Sequence, residues 1–208
     1  GSSHSAALKG IDASTFMARN AATRNNAQGW VLYGSIAILS AFLDLITKRI
    51  LFQKLGMPGE SPAIVVLHNI LLFETNLNEG ALFGIGQGMG LFFAAVSAAA
   101  IIGILVVMSR PMTRQDSWLV LALGLVTGGI IGNLYDRLGI HGLRWHAPLQ
   151  RMGQPVLAVR DWIHFKLDGI IDWPIFNLAD TWLVIGAGLL VLVSFRVPKQ
   201  DPSHDSSS

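Results

Sequence analysis

The sequence predicts an all-α membrane protein with four transmembrane helices and a small β-sheet outside the bilayer. Two observations support this fold class. Hydrophobic residues make up 51% of the 208 residues and charged residues only 13%, a balance that favours lipid rather than water as the surroundings of the chain. In addition, four apolar stretches each approach the roughly 20 residues that a helix needs to cross the hydrocarbon core.

The four predicted spans begin and end near charged residues, Pro or Gly, where a helix is expected to leave the bilayer. Their ranges are 30–50, 89–108, 117–135 and 176–195. The predicted organisation is a polar N-terminal extension over 1–29, a transmembrane domain over 30–197 and a tail over 198–208. The tail is rich in Ser and Asp, which predicts disorder.

Two longer connections are predicted to lie outside the membrane. In residues 51–88, prolines break helical structure, and the run 64–73, rich in Val, Ile and Leu, indicates one or two short strands. Residues 138–175 mix Arg with Trp, a composition that suits a bilayer surface. Within them, we expect residues 159–163 to form a short amphipathic element at that surface.

The orientation of the spans follows only weakly from charge. An even number of spans places both termini on one side of the membrane, together with the basic turn 110–114. The positive-inside rule favours the cytoplasm for that side, but the opposite side carries a comparable number of basic residues. Charge alone therefore leaves the orientation open.

Composition also argues against several classes of function. The 15 Lys and Arg residues are scattered and nearly balanced by 13 Asp and Glu, so we expect no nucleic acid partner. The chain contains no Cys, which removes thiol nucleophiles and thiolate metal sites. Its six His residues lack the His-Glu-x-x-His spacing of metalloproteases. We therefore expect neither a metal ion nor another cofactor.

Charged side chains inside predicted spans need an explanation, because each costs about 2.5–3.5 kcal/mol on membrane insertion scales. Asp44 and Lys48 lie one helical turn apart near the end of the first span. There they can pair with each other, and Lys48 can extend to the interface. A structural ion pair and a site for the polar part of a substrate or lipid both fit this pattern.

Two further segments are polar or rich in glycine. Residues 75–84 are dense in Asn and Gly, which form ordinary turns but also leave backbone groups free to bind a peptide or headgroup. The third span carries glycines at 124, 128, 129 and 132, a spacing that favours close helix packing. Asn133 and Arg137 follow one turn apart, so both can face one polar site, where Arg137 can orient a carboxylate.

Two acidic residues are predicted at the same shallow depth in the membrane. Asp180 stands one turn into the fourth span, and Asp161 lies in the segment 159–163. If the two carboxyl groups meet, one keeps a proton and the other acts as a base toward water, as in aspartic peptidases. Taken singly, Asp161 also fits an ordinary interfacial acid, and Asp180 an acid favoured by a helix N-terminus.

Five sequence blocks, in order, resemble the signal peptidase II family of lipoprotein signal peptidases. They are Asp44-Leu-Ile-Thr-Lys48, Asn78-Glu-Gly80-Ala81-Leu-Phe83-Gly84, Gly128-Gly129-Ile-Ile-Gly132-Asn133-Leu-Tyr-Asp136-Arg137, Val159-Arg-Asp161-Trp-Ile163 and Phe176-Asn177-Leu-Ala179-Asp180. A single block is a weak signal, whereas five in order from the first span to the last are specific.

The resemblance implies roles for individual residues. It implies that Asp161 and Asp180 are the catalytic pair. The positions it implies for substrate binding or for orienting the site are Asn78, Gly80, Asn133, Arg137, Asn177, Asp44 and Lys48. It further implies that the sheet and an amphipathic segment are extracytoplasmic, with 51–88 and 138–175 on that side.

The activity that the resemblance implies is that of an aspartic endopeptidase in the bacterial cytoplasmic (inner) membrane. The termini would be cytoplasmic and the active site near the outer leaflet. The implied substrate is a prolipoprotein whose lipobox cysteine carries diacylglycerol, cut just before that cysteine. Membrane lipids are the other expected partners, and a monomer is the expected state.

Three features depart from the family's usual pattern and bear on substrate preference. Leu82 stands where a small residue is usual, the stretch between Arg137 and Asp161 is long, and the N-terminal extension is unusual.

Two alternatives use the same residues differently. In a proton- or ion-coupled transporter, Asp44, Asp136 and Asp180 would form a relay, and in a membrane scaffold the glycine face would only pack helices. The acids cluster near helix ends, and no repeated halves are visible, which argues against a transporter.

Overall fold

The computed structural model describes residues 13–80, 88–167 and 169–196, with side chains from residue 26 onward. The helices are α1 (Ala13–Leu55), α2 (Gly90–Met108), α3 (Pro111–Gln115), α4 (Ser117–Arg137) and α5 (Leu178–Ser194). The strands are β1 (Ile64–Leu67), β2 (Leu71–Asn78), β3 (Val159–Leu167) and β4 (Ile171–Asp172). The predicted tail over 198–208 and the motif residues 81–84, including Leu82, lie outside the described residues.

Three of the described helices are long and apolar enough to cross a membrane: residues 26–55 of α1, α2 and α4. The sequence predicts four spans, and the fourth stretch forms α5, an apolar helix of 17 residues that is shorter than the other three. Helix α1 also begins earlier than the predicted span, at Ala13, because no Pro interrupts residues 13–55. It ends at Leu55, and the next residue, Gly56, has a φ of 76°, which suits a residue without Cβ.

Helix α4 lies at the centre of the bundle, in contact with α1, α2 and α5. Its glycines make this possible, as the sequence predicts. A Cβ on Gly124 would lie 2.9 Å from Cβ of Ile36 on α1, and a Cβ on Gly129 would lie 2.6 Å from the carbonyl oxygen of Ala179 on α5. Both distances are too short for real atoms, so glycine is what lets these backbones approach.

The four strands form one antiparallel sheet in the order β1-β2-β3-β4. This corrects one prediction, because residues 159–163 are the first half of β3 and not an amphipathic element at the surface. Asp161 pairs with Asn76 of β2, and residues 159–162 are buried. The segment is a strand because its backbone finds hydrogen-bond partners on both sides, in β2 and at Phe176.

The contact with Phe176 connects the sheet to the bundle. The backbone N–H groups of Trp162 and Ile163 donate to the carbonyl oxygen of Phe176 at 3.0 and 2.8 Å, and Phe176 N–H donates back to Ile163 at 3.0 Å. Since α5 begins two residues after Phe176, these bonds hold the N-terminus of α5 beside β3.

Candidate active site

The first turn of α5 is fixed by a reciprocal cap. Oδ1 of Asn177 accepts the backbone N–H of Asp180 at 3.0 Å, and Oδ2 of Asp180 accepts the backbone N–H of Asn177 at 3.3 Å. Such a capping box satisfies two N–H groups that a helix start otherwise leaves open. It also gives the Asp180 carboxylate one orientation.

The same Asn177 reaches the strand. Its Nδ2 donates to Oδ1 of Asp161 at 2.6 Å, so one side chain contacts both of the acids that the sequence singles out. Asp161 is only 1% exposed. Its second oxygen, Oδ2, is buried and has no hydrogen-bond partner among the described residues. That oxygen is therefore free to bond to a substrate group.

A second asparagine holds Asp180 from the side of α4. Nδ2 of Asn133 donates to Oδ1 of Asp180 at 2.9 Å. Oδ1 of Asn133 accepts from Nδ2 of Asn177 at 3.3 Å and from Nζ of Lys48 at 3.0 Å. The segments Asn133–Asp136 of α4 and Asn177–Asp180 at the start of α5, which share the pattern Asn-Leu-x-Asp, thus meet through their asparagines.

An ion-pair network lies beneath the two asparagines. Nζ of Lys48 is 2.7 Å from Oδ2 of Asp44 and 3.1 Å from Oδ2 of Asp136, and all three side chains are fully buried. The expectation that Lys48 extends to the membrane interface is therefore wrong. The two carboxylates and Asn133 solvate the ammonium group better than an apolar path to the interface would. Oδ1 of Asp44 in turn accepts the N–H of Ala179 at 2.9 Å, which joins α1 to α5.

Arg160 completes the network, and the sequence assigns it no role. Its Nη2 lies 2.7 Å from Oδ1 of Asp136, and its backbone N–H donates to Oδ2 of the same residue at 3.0 Å. The sequence does give a signal for Asp136, because this residue lies three positions after Asn133 and therefore on the same helix face. Its partner on β3 depends on tertiary structure.

Arg137, Asn78 and Gly80 form a neighbouring group. Nη2 of Arg137 donates to the carbonyl oxygen of Gly80 at 3.2 Å, and Oδ1 of Asn78 accepts the N–H of Gly80 at 3.0 Å. The guanidinium also lies over the ring of Phe93, 5.5 Å from its centre. Among the described side chains, Arg137 makes no hydrogen bond to a carboxylate; it holds the end of the Asn78–Gly80 turn.

The protonation of Asp161 differs from that of an ordinary acid. Burial raises the pKa of Asp161 to about 8, and the charge of Asp180 adds to the increase. The charge of Lys48 and the nearby side-chain amides of Asn177 and Asn78 act in the opposite direction. Asp161 therefore retains its proton at neutral pH.

Within the described residues, no group of three or more His, Asp or Glu side chains is arranged to hold a metal ion. The chemistry that this arrangement offers is that of two carboxyl groups, one carrying a proton, at the junction of the bundle and the sheet.

Fold and site together define a helical membrane protein with a buried polar site that contains two acids bridged by an asparagine. Over residues 36–196 the chain matches the sequence model of the family described as signal peptidase (SPase) II. The chain belongs to this family.

Individual relatives agree with the family assignment. The lipoprotein signal peptidase of Rhodopirellula baltica is 40% identical over 169 residues, which cover 81% of this chain and 74% of the relative. The lipoprotein signal peptidase of Pseudomonas fluorescens strain Pf-5 is 30% identical over 190 residues, 89% of this chain and 99% of the relative.

A solved structure has the same fold. A bacterial membrane enzyme determined by the in meso method at 2.3 Å resolution aligns with a TM-score of 0.63 and 24% identity, over 80% of this chain and 92% of that chain. Because the chain belongs to the signal peptidase II family, it is a protease of the membrane. None of these similarities supports the transporter alternative.

Proposed function

We propose that the chain is an aspartic endopeptidase that removes signal peptides from diacylglyceryl-modified prolipoproteins, with Asp161 and Asp180 as its catalytic pair. The observation that carries the proposal is the bridge through Asn177, which bonds to Asp161 through its amide and caps the turn that presents Asp180. Two acids held by one side chain are positioned to act on one substrate group.

The proposed division of labour follows from the surroundings of each acid. Asp161 keeps its proton at neutral pH, because its folded-state pKa is about 8, so it acts as the acid. Both oxygens of Asp180 accept hydrogen bonds from N–H groups, which suits the carboxylate that acts as the base.

In the proposed reaction, Asp180 takes a proton from a water molecule whose oxygen attacks the scissile carbonyl carbon. Asp161 gives its proton to the carbonyl oxygen through the free Oδ2. When the C–N bond breaks, the proton now on Asp180 goes to the leaving amine, and the second hydroxyl proton of the intermediate returns to Asp161. Each acid ends in its starting state.

The ion-pair network supports this chemistry by adding no net charge. Lys48 and Arg160 are matched by Asp44 and Asp136, two cations against two anions, all buried. Lys48 acts on the site by donating to Asn133, which in turn orients Asp180. Asn133, Asn177, Lys48 and Asp44 are therefore proposed as residues that position the pair.

The proposed topology places the site near the outer leaflet. Arg160 and Ile163 of β3 contact Phe52 near the end of α1, Asp136 near the end of α4 and Phe176 just before α5. We infer that the sheet marks one membrane face. We propose that α5 is the fourth span. At 1.5 Å per residue its 17 residues extend about 25 Å, somewhat less than the hydrocarbon thickness of about 30 Å. Asp180 in its first turn then lies at shallow depth.

The remaining expectations form part of the same proposal. Residues 30–197 would be the peptidase domain, with 51–88 and 138–175 extracytoplasmic and both termini in the cytoplasm. The protein would act as a monomer on a substrate whose acyl chains stay in the lipid. A scissile bond at the outer end of a signal helix would then reach the shallow pair.

The test is cleavage of a diacylglyceryl-modified prolipoprotein peptide by protein purified in detergent. Asp161→Asn and Asp180→Asn should each abolish cleavage, because the amide has nearly the same volume but cannot exchange a proton. The matched control is Asp172→Asn on β4, whose side chain is 65% exposed. Thermal unfolding should show that all three variants fold.

Cleavage that survives in Asp161→Asn would show that Asp180 has another partner. A folded wild-type protein that leaves the lipidated peptide intact would refute the proposed substrate.

A further inference from the structure

A cavity of about 500 Å³ opens beside α1 on a different face from the Asp44–Lys48 ion pair. The described residues that line it are Phe42, Leu45, Ile46, Arg49, Phe52, Gln53, Tyr135, His141, Leu143 and Arg160. At 100° per residue, the lining positions of α1 centre about 120° around the helix from Asp44 and Lys48. The cavity therefore opens away from the catalytic pair, and Arg160 is the residue that it shares with the ion-pair network.

Strand β3 also lies between the cavity and the catalytic pair, with one on each face of the strand. Successive side chains of a strand point to opposite faces. Asp161 bonds to Asn177 in the candidate active site, whereas its neighbour Arg160 lines the cavity. A ligand in the cavity would thus contact the back of the strand that carries Asp161.

Arg49 is the residue that most strongly indicates a bound anion in this cavity. It lies within the apolar stretch 26–55 that is long enough to span a membrane, and its side chain is exposed. Among the described residues it has no ion-pair or hydrogen-bond partner. Near the end of a spanning helix, a guanidinium extends to the depth of the lipid headgroups, where an anionic phosphate can neutralise it.

The rest of the polar lining also suits an anion. The cavity wall contains no Asp or Glu among its described residues. The Tyr135 hydroxyl and the Gln53 amide offer hydrogen-bond donors. Burial and the charge of Arg160 lower the pKa of His141, so His141 is neutral and the positive charge comes from the two arginines. Arg160 is partly balanced by Asp136, which leaves Arg49 as the uncompensated cation.

The apolar lining indicates that the anion is attached to a lipid. Phe42, Leu45 and Ile46 line the cavity, and the apolar surface continues along α1 to Leu39 and Ile38, which are 58% and 72% exposed. The polar residues Arg49 and Gln53 lie toward the end of α1 that is beside the sheet, where headgroups are expected. The exposed and half-buried apolar residues from Ile38 to Ile46, here called the apolar stripe on α1, run from there into the bilayer. Basic pockets between membrane-spanning helices bind the headgroups of anionic lipids in other proteins.

We propose that this cavity binds the phosphate of an anionic phospholipid, with Arg49 as the principal ligand and the acyl chains along the stripe on α1. The site is distinct from the catalytic pair, and its occupancy does not depend on peptide cleavage. A free phosphate compound shares the headgroup chemistry but cannot use the apolar stripe.

The test is lipid retention, measured by native mass spectrometry on protein purified in detergent. Phosphatidylglycerol and phosphatidylcholine are offered separately, and glycerol 3-phosphate is added as a soluble competitor. Wild-type protein should retain phosphatidylglycerol about tenfold more than phosphatidylcholine, because the choline cation offsets the phosphate charge and is repelled by the arginines. Glycerol 3-phosphate should not displace the lipid at equal concentration.

Three variants assign the binding to the cavity. Arg49→Gln should lose most of the preference for phosphatidylglycerol, and Gln53→Glu should weaken it by placing a negative charge at the rim. The matched control is Lys54→Gln, which removes one exposed positive charge from α1 outside the cavity lining and should leave the preference unchanged. All three positions are exposed, so the variants are expected to fold, and thermal unfolding verifies this.

The proposal fails if wild-type protein shows no preference for the anionic lipid, or if Arg49→Gln retains it in full. Equal loss in Lys54→Gln would mean a diffuse surface attraction rather than a site. Displacement by glycerol 3-phosphate would mean that the cavity is a phosphate site without lipid specificity, which also overturns the proposal.

Discussion

Nδ2 of Asn177 donates a hydrogen bond of 2.6 Å to Oδ1 of Asp161, and both residues are buried. Because Asn177 is also the N-cap of α5, the orientation of the strand carboxyl group is coupled to the start of the helix. The two roles of Asn177 can be separated by substitution.

Asn177→Ser keeps a side-chain oxygen for the cap but removes the amide donor, whereas Asn177→Ala removes both. We expect both variants to lower kcat/KM for the lipidated peptide by roughly tenfold to a hundredfold, as for a buried carboxyl oxygen left without its hydrogen bond. Asn177→Ala should lose about 1 kcal/mol more stability than Asn177→Ser, the usual value of a cap. Cleavage assays and thermal unfolding measure the two effects. Full activity in Asn177→Ser would mean that the bond to Asp161 has no part in catalysis.

The activity should fall at alkaline pH. Asp161 acts as an acid in its protonated form, and its folded-state pKa is about 8. We therefore expect kcat/KM to decrease as pH rises through about 8. The measurement is a pH profile of cleavage, with the stability of the enzyme checked at each pH. A rate that stays constant to about pH 10 would contradict the assignment of Asp161 as the acid.

Stability should depend on the same proton. Unfolding returns Asp161 from a pKa of about 8 to its ordinary value of 3.8. Between these two values the folded protein binds more protons than the unfolded chain, so stability falls as pH rises from about 4 to about 8 and then levels off. Asp161→Asn removes this contribution. The Tm of Asp161→Asn should therefore rise relative to that of wild type as pH increases from about 4 to about 8. A difference in Tm that stays constant over this range would refute the raised pKa of Asp161.

Lys48 should be essential to the fold as well as to the site. Lys48→Met leaves Asp44 buried without its cation, while Asp136 keeps Arg160. We expect a loss of about 3–5 kcal/mol, the usual cost of breaking a buried pair from one side. The double variant Lys48→Met/Asp44→Asn should recover part of this loss, because it removes the unpaired charge. If the double variant is no more stable than Lys48→Met, the damage comes from packing and not from charge.

Gly132 should tolerate no side chain. A Cβ at this position would collide with Oδ2 of Asp44 and lie 3.3 Å from Cβ of Ala179. Gly132→Ala is therefore expected to cost about 1–3 kcal/mol and to lower activity, since it displaces the partner of Lys48. Gly103→Ala on α2, where a Cβ meets nothing within 4 Å, is the matched control and should be nearly neutral. Equal Tm values for the two variants would contradict the packing described for α4.

Much of the helical part of the fold could be predicted from the sequence, because apolar length and glycine spacing are local properties. The glycines of α4 pack against α1 and α5 as predicted, and the strands in 64–73 are present. Residues 159–163 were harder to predict. Their mixture of charged and aromatic residues resembles an amphipathic element, and only the partners on both sides make them a strand.

The candidate site shows the same limit at the level of single side chains. Asp44 and Lys48 were expected to pair from their one-turn spacing, and they do. The burial of Lys48 was not predictable, since it requires Asp136 and Asn133 of α4 to surround the ammonium group. Arg160 was missed for the same reason, because its partner Asp136 lies 24 residues away in the chain.

The sequence by itself determined which residues carry charge inside apolar helices, which helices can pack closely and which family the five motifs resemble. Those properties depend on residue type and on spacing within one element. Only the tertiary structure decided that Asp161 and the first turn of α5 share one asparagine. That meeting depends on backbone hydrogen bonds between Ile163 and Phe176, and backbone pairing between distant segments leaves no periodic signal in the side chains.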